Sequence, residues 1–274
     1  MVKLCLGSAN FGFKYGLVNK KINQNKLLKI LSLAKKSNVL NIDTSFEYHN
    51  SHRNLKKSIN SKMNIHTKIF INKNLNLTSL KKKINNFNSN SPSQIYSILL
   101  HDQNDALSVK KVKLLKRLKD EGIVNKIGVS IYDLYILKKI LKLWTPDIVQ
   151  VPVNPFNLDF VSKDFLNDLK RKKITIFARS IFLQGILLRK YNILAKKYKK
   201  DLEDWFNFCE SKTIHPVKAC LDFCKSIKEI DYLVIGVQDA EELKQIIKFF
   251  KQPIKLSSKL IIDKKYKKID LRKI

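Results

Sequence analysis

The sequence has little glycine, few acidic residues and no long apolar run. Seven glycines among 274 residues exclude collagen-like and glycine-rich low-complexity chains. No segment reaches the roughly 20 apolar residues of a membrane-spanning helix, and residues 1–12 lack the apolar stretch of a signal peptide. We therefore expect a cytoplasmic protein with no membrane partner.

Cysteine is also scarce, and its spacing argues against a metal site. The four cysteines are Cys5, Cys209, Cys220 and Cys224, and none of them forms a CxxC pair. Cys220 and Cys224 lie one helical turn apart with His215 nearby, but this spacing matches no common zinc pattern. We expect four buried free thiols in a reducing compartment and no bound metal.

The charge is strongly positive, since 54 lysines and arginines face 23 acidic residues and give +31. Such a balance raises nucleic acid as a partner. In 109–121, however, Val109, Val112, Leu115 and Leu118 recur at helical spacing and lysines fill most of the remainder. This pattern is typical of an amphipathic helix with a basic outer face. We therefore favour a basic solvated surface over nucleic-acid binding.

Strand-like and helix-like segments alternate along the chain. The predicted strands are 2–6, 39–43, 65–71, 95–100, 127–129, 148–151, 174–178 and 232–235. Eight βα units of this length, without a linker rich in Pro, Ser or Gly, predict an α/β fold: a single (β/α)8 TIM barrel over 1–274, with 251–274 as a basic C-terminal tail. An open doubly wound sheet is the rival, although no GxGxxG follows the first strand. Residues 182–213 form a connection that the pattern does not assign.

Four ionisable residues fall at or near the carboxyl ends of the predicted strands, where a barrel assembles its active site. They are Asp43, Tyr48, Lys68 and His101. Lys68 lies in an apolar strand and therefore needs an acidic partner, for which Asp43 on the adjacent strand is the candidate. We expect Lys68 to lower the pKa of Tyr48, which would give or take a proton while His101 orients a carbonyl.

These segments resemble the aldo-keto reductase superfamily. The family's Asp-Thr-Ala-x-x-Tyr element is similar to 43–48, its strand-three Thr-Lys to 67–68, and its strand-four histidine to 99–101. The signatures of strands five to eight are similar to 122–130, 147–157, 178–185 and 235–237. The match runs in order from Leu4 to about Phe250, which is nearly the whole chain.

The resemblance implies a nicotinamide coenzyme at the barrel mouth, bound by residues on strands five to eight. Ser130 and Gln150 are expected to bond the nicotinamide carboxamide. The other expected coenzyme-binding residues are Arg179, Ser180, Gly236, Val237 and Glu242. The chain departs from the family at three positions: Ile131 replaces an asparagine, Arg179 a stacking tyrosine, and Glu242 an arginine that binds the 2′-phosphate of NADP. The choice between NADP and NAD is left open.

The resemblance predicts an NAD(P)-dependent oxidoreductase that reduces an aldehyde or ketone, possibly sugar-related, with Tyr48 as general acid. Some relatives keep these four residues and act as cofactor-binding regulatory or scaffolding subunits, so that alternative stays open, and turnover on any carbonyl would separate the two. A basic nucleic-acid-binding protein is the third alternative, and salt-dependent duplex binding would indicate it.

Overall fold

A computed structural model of the chain describes residues 1–12, 22–48, 50–72, 75–89, 91–189, 198–256, 261 and 266–269. Eight parallel strands pair in chain order, and the last pairs with the first to close a barrel. The predicted barrel is thereby confirmed and the open sheet is wrong. The strands are β1 (Lys3–Gly7), β2 (Asn41–Asp43), β3 (Asn64–Ile69), β4 (Gln94–Leu100), β5 (Lys126–Ser130), β6 (Ile148–Pro152), β7 (Thr175–Arg179) and β8 (Tyr232–Ile235).

Helices alternate with these strands and cover the outside of the barrel. They are α1 (Gln24–Lys36), α2 (Ser51–Ser58), α3 (Leu77–Asn88), α4 (Val109–Asp120), α5 (Leu134–Leu143), α6 (Lys163–Arg171), α7 (Lys199–Ser211), α8 (Pro216–Lys225) and α9 (Ala240–Lys251). The unassigned connection holds a short 3-10 helix at Leu183–Leu188 and then α7, while 190–197 lie outside the described residues. Helix α4 buries Val112, Leu115 and Leu118 and turns its lysines outward, as the spacing predicts, whereas Val109 in its first turn is exposed.

The interior of the barrel is filled in layers, because alternate residues of each strand point inward. At the amino-terminal end, His66 bonds Ser97 at 2.8 Å and Asn41 at 3.0 Å. Above it, Cys5, Leu99, Ile148 and Phe177 form an apolar cluster. The layer beneath the carboxyl-terminal mouth is therefore apolar, and the polar side chains at the strand ends pack on it.

The chain after α9 is fixed to the barrel by a buried ion pair in α8. Lys218 and Asp222 are paired, with 3% and 0% of their side chains exposed, and Lys218 also donates to the Pro253 carbonyl at 2.7 Å. The free oxygen of Asp222 accepts the backbone N–H groups of Lys255 at 2.8 Å and Leu256 at 3.3 Å. The described part of the predicted tail therefore folds back onto the barrel.

Further along, the tail reaches the mouth. The Tyr266 ring stacks on Phe156 with centroids 4.7 Å apart and meets Trp205 edge-on at 5.9 Å. This contact brings Lys268 and Ile269 to the edge of the cavity at the carboxyl ends of the strands. The tail thus contributes to the mouth as well as to the packing of the barrel.

The predictions about cysteine and membrane segments can be compared with the described residues. All four cysteines are buried and free, as expected. Among the described helices, none has both the length and the apolar character needed to cross a membrane.

Candidate active site

Strand β2 ends at Asp43, whose carboxylate is the centre of a buried polar cluster at the mouth. Lys68 on β3 donates to Asp43 Oδ1 at 2.6 Å, which confirms the predicted pair. Gln150 on β6 donates its side-chain N–H to the same oxygen at 2.7 Å. Both Lys68 and Gln150 are almost fully buried, so these bonds compensate for the loss of hydration.

Tyr48 lies in the loop after β2, and glycine allows that loop to approach the barrel. A Cβ atom at Gly12 would lie 2.3 Å from the Ser51 amide nitrogen and 2.8 Å from the Tyr48 carbonyl oxygen. The loop places the Tyr48 ring 5.2 Å from Lys68 Nζ and 5.9 Å, edge-on, from the ring of His101. The structure therefore brings together all four residues predicted to carry the chemistry.

The pKa of Tyr48 differs from the expectation. Burial raises it well above 10, the nearby Asp43 carboxylate raises it further, and the charge of Arg179 opposes them. The predicted lowering is therefore wrong in direction, because burial and the Asp43 carboxylate outweigh the opposing positive charge. Tyr48 consequently keeps its proton at neutral pH, which is the state that a proton donor requires.

His101 follows β4 and is held as a neutral imidazole. Burial lowers its pKa to about 3, and the charges of Lys68 and Arg179 act in the same direction. One face of the ring stacks on Phe70 with centroids 4.6 Å apart. Its Nδ1 lies 3.1 Å from the Ser45 hydroxyl oxygen. A neutral ring can bond a substrate oxygen without adding a charge to the site.

The Ser45 hydroxyl holds the His101 ring through Nδ1. Ser45 Oγ accepts the Glu47 N–H at 3.1 Å, donates to the Lys68 carbonyl oxygen at 3.2 Å and lies 3.1 Å from His101 Nδ1. Because Ser45 has one proton, it either keeps the bond to the carbonyl and accepts the hydrogen of Nδ1, or turns to Nδ1 and leaves the hydrogen on Nε2. Only the second arrangement makes Nε2 a donor.

Replacing Ser45 with alanine removes the hydrogen-bond partner of His101 Nδ1 and is therefore expected to weaken any reaction in which His101 takes part. We expect kcat/KM for an aldehyde to fall about tenfold, since one hydrogen bond contributes up to about 1.5 kcal/mol. The ratio of kcat/KM in the unmodified protein to kcat/KM in Ser45→Ala should stay constant between pH 5 and 9, because His101 has a pKa of about 3. Ser89→Ala, which removes an exposed hydroxyl, is the control. Equal kcat/KM in the two variants would contradict this role.

Ser130 and Gln150 are partners in the register of β5 and β6, and both line the cavity. Gln150 donates its side-chain N–H to the Asp43 carboxylate. The carbonyl oxygen Oε1 of Gln150 is buried without a hydrogen-bond partner among the described residues. A buried acceptor of this kind is satisfied by a donor from a ligand or from water. The pair fits a carboxamide, which offers an N–H to Gln150 and a carbonyl to the Ser130 hydroxyl.

Next to β6, the backbone after β7 is strained. Ser180, Leu183 and Gln184 have positive φ angles of 57°, 48° and 53°, and all three line the cavity. Such conformations are uncommon in residues other than glycine, and groups of them are found at ligand sites. Gly236 and Val237, which follow β8, line the same wall, and a Cβ at Gly236 would meet nothing within 4 Å.

Glu242 lies in the first turn of α9, at the edge of this wall. Its carboxylate accepts the Gln238 N–H at 2.8 Å, and its own N–H donates to the capping residue Asp239 at 3.0 Å. Glu241 adds a third carboxylate to the same turn. The positive end of the helix is therefore already neutralised by acidic side chains.

Arg179, at the end of β7, turns away from α9 and toward β5. Its guanidinium carbon lies 3.8 Å from the centre of the Tyr132 ring, and one terminal nitrogen donates to the Ile131 carbonyl at 3.0 Å. Cation–aromatic stacking of this kind is stabilising, and it fixes the plane of the guanidinium. The residue therefore borders the same part of the cavity as Tyr48.

Several residues of the mouth were not predicted from the sequence. Ser45 stands inside the recognised 43–48 element, so its place in the family's Ala position was the available signal. Tyr132, Lys268 and Ile269 line the cavity only because of tertiary packing. His52, whose meaning the sequence does not indicate, bonds the Thr67 hydroxyl at 2.8 Å and stacks on Phe46.

The cavity has a volume of about 300 Å³ and contains every predicted catalytic and coenzyme-binding residue. The fold and this mouth define a parallel barrel with a Tyr–Lys–Asp–His cluster at the carboxyl ends of its strands. The family model "Aldo/keto reductase family" matches residues 3–267. The chain belongs to the aldo/keto reductase family, a family of oxidoreductases that generally use nicotinamide coenzymes.

Solved structures of family members share the fold. A holo aldo-keto reductase from Bacillus halodurans is 14% identical, with 99% of this chain and 95% of that chain covered and a TM-score of 0.74. A glycerol dehydrogenase from Gluconobacter oxydans is 16% identical, with 98% and 94% covered and a TM-score of 0.72. A Pseudomonas aeruginosa protein described as a putative aldo-keto reductase has 16% identity, 90% and 88% coverage and a TM-score of 0.68. Among curated proteins, no sequence matches the chain.

Proposed function

We propose that the protein reduces a small aldehyde or ketone with hydride from NADH, and that Tyr48 supplies the proton. The observation that carries the proposal is the Asp43–Lys68 pair at 2.6 Å, with the Tyr48 ring 5.2 Å from Lys68 Nζ and 5.9 Å from the His101 ring. A carbonyl that accepts hydride becomes an alkoxide, which needs both a hydrogen-bond donor and a proton. The cluster offers both within one cavity.

When bound, a nicotinamide coenzyme would supply the hydride, and Ser130 and the side-chain oxygen Oε1 of Gln150 would hold its carboxamide. His101 donates a hydrogen bond to the substrate carbonyl oxygen through Nε2, and Tyr48 transfers its proton to that oxygen. Lys68 stabilises the tyrosinate left behind, since negative charge on Tyr48 is attracted to the ammonium group 5.2 Å from the ring.

The choice of NADH over NADPH rests on Glu242. A 2′-phosphate beside the first turn of α9 would meet the carboxylates of Glu242, which lines the cavity, and of Asp239. Like charges placed together are repulsive, and Glu242 already uses the Gln238 N–H that an anion would bind. We expect NADH to bind at least ~10-fold more tightly than NADPH, equivalent to about 1.4 kcal/mol.

Titration of the protein with each coenzyme, followed by fluorescence, measures this ratio. Glu242→Gln is expected to bring the two Kd values closer, mainly by improving the affinity for NADPH. Glu241→Gln is the matched control, because that side chain is 83% exposed on the same turn. An NADPH preference in the unmodified protein would overturn the choice of coenzyme. Tight coenzyme binding without reduction of any carbonyl would instead favour the regulatory or scaffolding alternative.

A further inference from the structure

The described part of the cavity contains a cation without an acidic partner. Arg179 lines the cavity and makes no ion pair with any described residue, and its Nε–H is buried without an acceptor there. Two other cations of the cavity are matched by acids, Lys68 by Asp43 and Lys268 by Asp159, while Arg189 is exposed at its edge. Arg179 is half-buried, and a buried N–H without an acceptor is costly, so the group is stabilised when an anion arrives.

The orientation of Arg179 assigns it to the reacting end of the cavity. Its contacts run toward β5, to the Ile131 carbonyl and the Tyr132 ring. Its charge also acts on the two candidate catalytic groups: it opposes the rise in the pKa of Tyr48 and contributes to the low pKa of His101. An anion bound to this guanidinium would therefore lie close to the carbonyl that Tyr48 and His101 address.

The geometry of the guanidinium favours an oxyanion. The Tyr132 ring covers one face and fixes the plane, while one terminal nitrogen is held by Ile131 and the other lies 3.3 Å from the Ser180 hydroxyl. Rigidly held guanidinium edges bind carboxylates and phosphates through paired N–H groups. The net charge of +31 adds a favourable field for any anion that approaches the protein.

We propose that Arg179 binds the anionic group of the substrate, so that the protein prefers carbonyl compounds that carry a carboxylate or a phosphate monoester. This proposal rests on the proposed function and names the substrate class of the same site. It gives Arg179 a specificity role, whereas the family resemblance predicts that this position contacts the coenzyme.

Two matched pairs of substrates test the proposal and distinguish its two anion sources. Succinic semialdehyde is compared with butyraldehyde, and glyceraldehyde 3-phosphate with glyceraldehyde. We expect kcat/KM to be 10- to 100-fold higher for the charged member of at least one pair, the range of a charge-assisted hydrogen bond. In Arg179→Gln this advantage should disappear, and in Arg179→Lys part of it should remain. Equal kcat/KM within both pairs in the unmodified protein would overturn the proposal.

Lys139→Gln is the matched control. It also removes a cation stacked on a tyrosine, since Lys139 Nζ lies 4.3 Å from the centre of the Tyr135 ring on the surface of α5. It should leave the advantage of the charged substrates unchanged. A similar loss in Lys139→Gln and Arg179→Gln would attribute the effect to net charge and would contradict a specific site.

A binding measurement separates this inference from the proposed function. The protein without coenzyme is titrated with succinate and with inorganic phosphate, and binding is followed by calorimetry. Saturable binding of either anion that is weakened at least tenfold in Arg179→Gln supports the inference even if no carbonyl is reduced. If neither anion binds, or if Arg179→Gln binds them equally well, the inference is wrong while reduction of butyraldehyde would still support the proposed function. If Arg179→Gln lost affinity for NADH alone, Arg179 would be a coenzyme-binding residue and the inference would be wrong.

Discussion

Turnover is expected to drop at least ~100-fold when Tyr48 is replaced by phenylalanine, the usual scale for losing a general acid. The ring, its edge-on contact with His101 and its position above Lys68 are kept, and only the hydroxyl group with its proton is removed. The Kd for NADH should change little, because the predicted carboxamide contacts come from Ser130 and Gln150. Steady-state reduction of an aldehyde and a fluorescence titration measure the two quantities.

Tyr135→Phe is the control for this substitution. Tyr135 is 64% exposed on α5 and outside the cavity, so the loss of its hydroxyl should leave turnover unchanged. If Tyr48→Phe reduced carbonyls as fast as Tyr135→Phe, Tyr48 would not be the proton donor. The Asp43–Lys68 pair would then need another explanation.

The second large effect is expected far from the catalytic cluster. Replacing Asp222 with alanine should lower the free energy of unfolding by about 3–5 kcal/mol, because Lys218 is left buried without a counter-charge. The backbone N–H groups of Lys255 and Leu256 lose their acceptor as well. Unfolding in denaturant, followed by far-UV circular dichroism, measures the change.

Asp168→Ala is the matched control, since it removes an aspartate from an exposed ion pair. The Asp168 side chain is 53% exposed and that of its partner Arg171 is 73% exposed. Exposed pairs contribute little, so we expect a loss below about 1 kcal/mol. A double replacement, Lys218→Met with Asp222→Leu, should recover much of the stability because no charge is left unpaired. Equal stability of Asp222→Ala and Asp168→Ala would show that the buried pair does not fix the tail.

The barrel could be predicted because its strands are short apolar runs that alternate with amphipathic helices. All eight predicted strands are present, and their ends are shifted by two residues at most. The stretch after β7 resisted assignment for a physical reason. Its short 3-10 helix contains Gln184 and Gly185 in left-handed backbone conformations, and sequence periodicity carries no signal for them.

At the site, the residues at strand ends were predictable and their interactions only partly so. The Asp43–Lys68 pair followed from a lysine in an apolar strand. The raised pKa of Tyr48 did not follow, because it depends on burial and on the charge of the nearby Asp43 carboxylate. The stacking of Arg179 on Tyr132 joins two strand ends whose facing side chains a linear pattern does not specify.

The pairing of β1 with β8 has a consequence for how the protein forms. Lys3 pairs with Tyr232, and β1 leaves the ribosome before β8. One edge of β1 therefore stays uncovered until β8 has been made. Lys268 and Ile269, which border the cavity, are made later still. Contacts so distant in sequence slow folding and leave strand edges open to other chains in the meantime. The pocket therefore forms late in synthesis. Until it has formed, the high positive charge helps growing chains to repel one another.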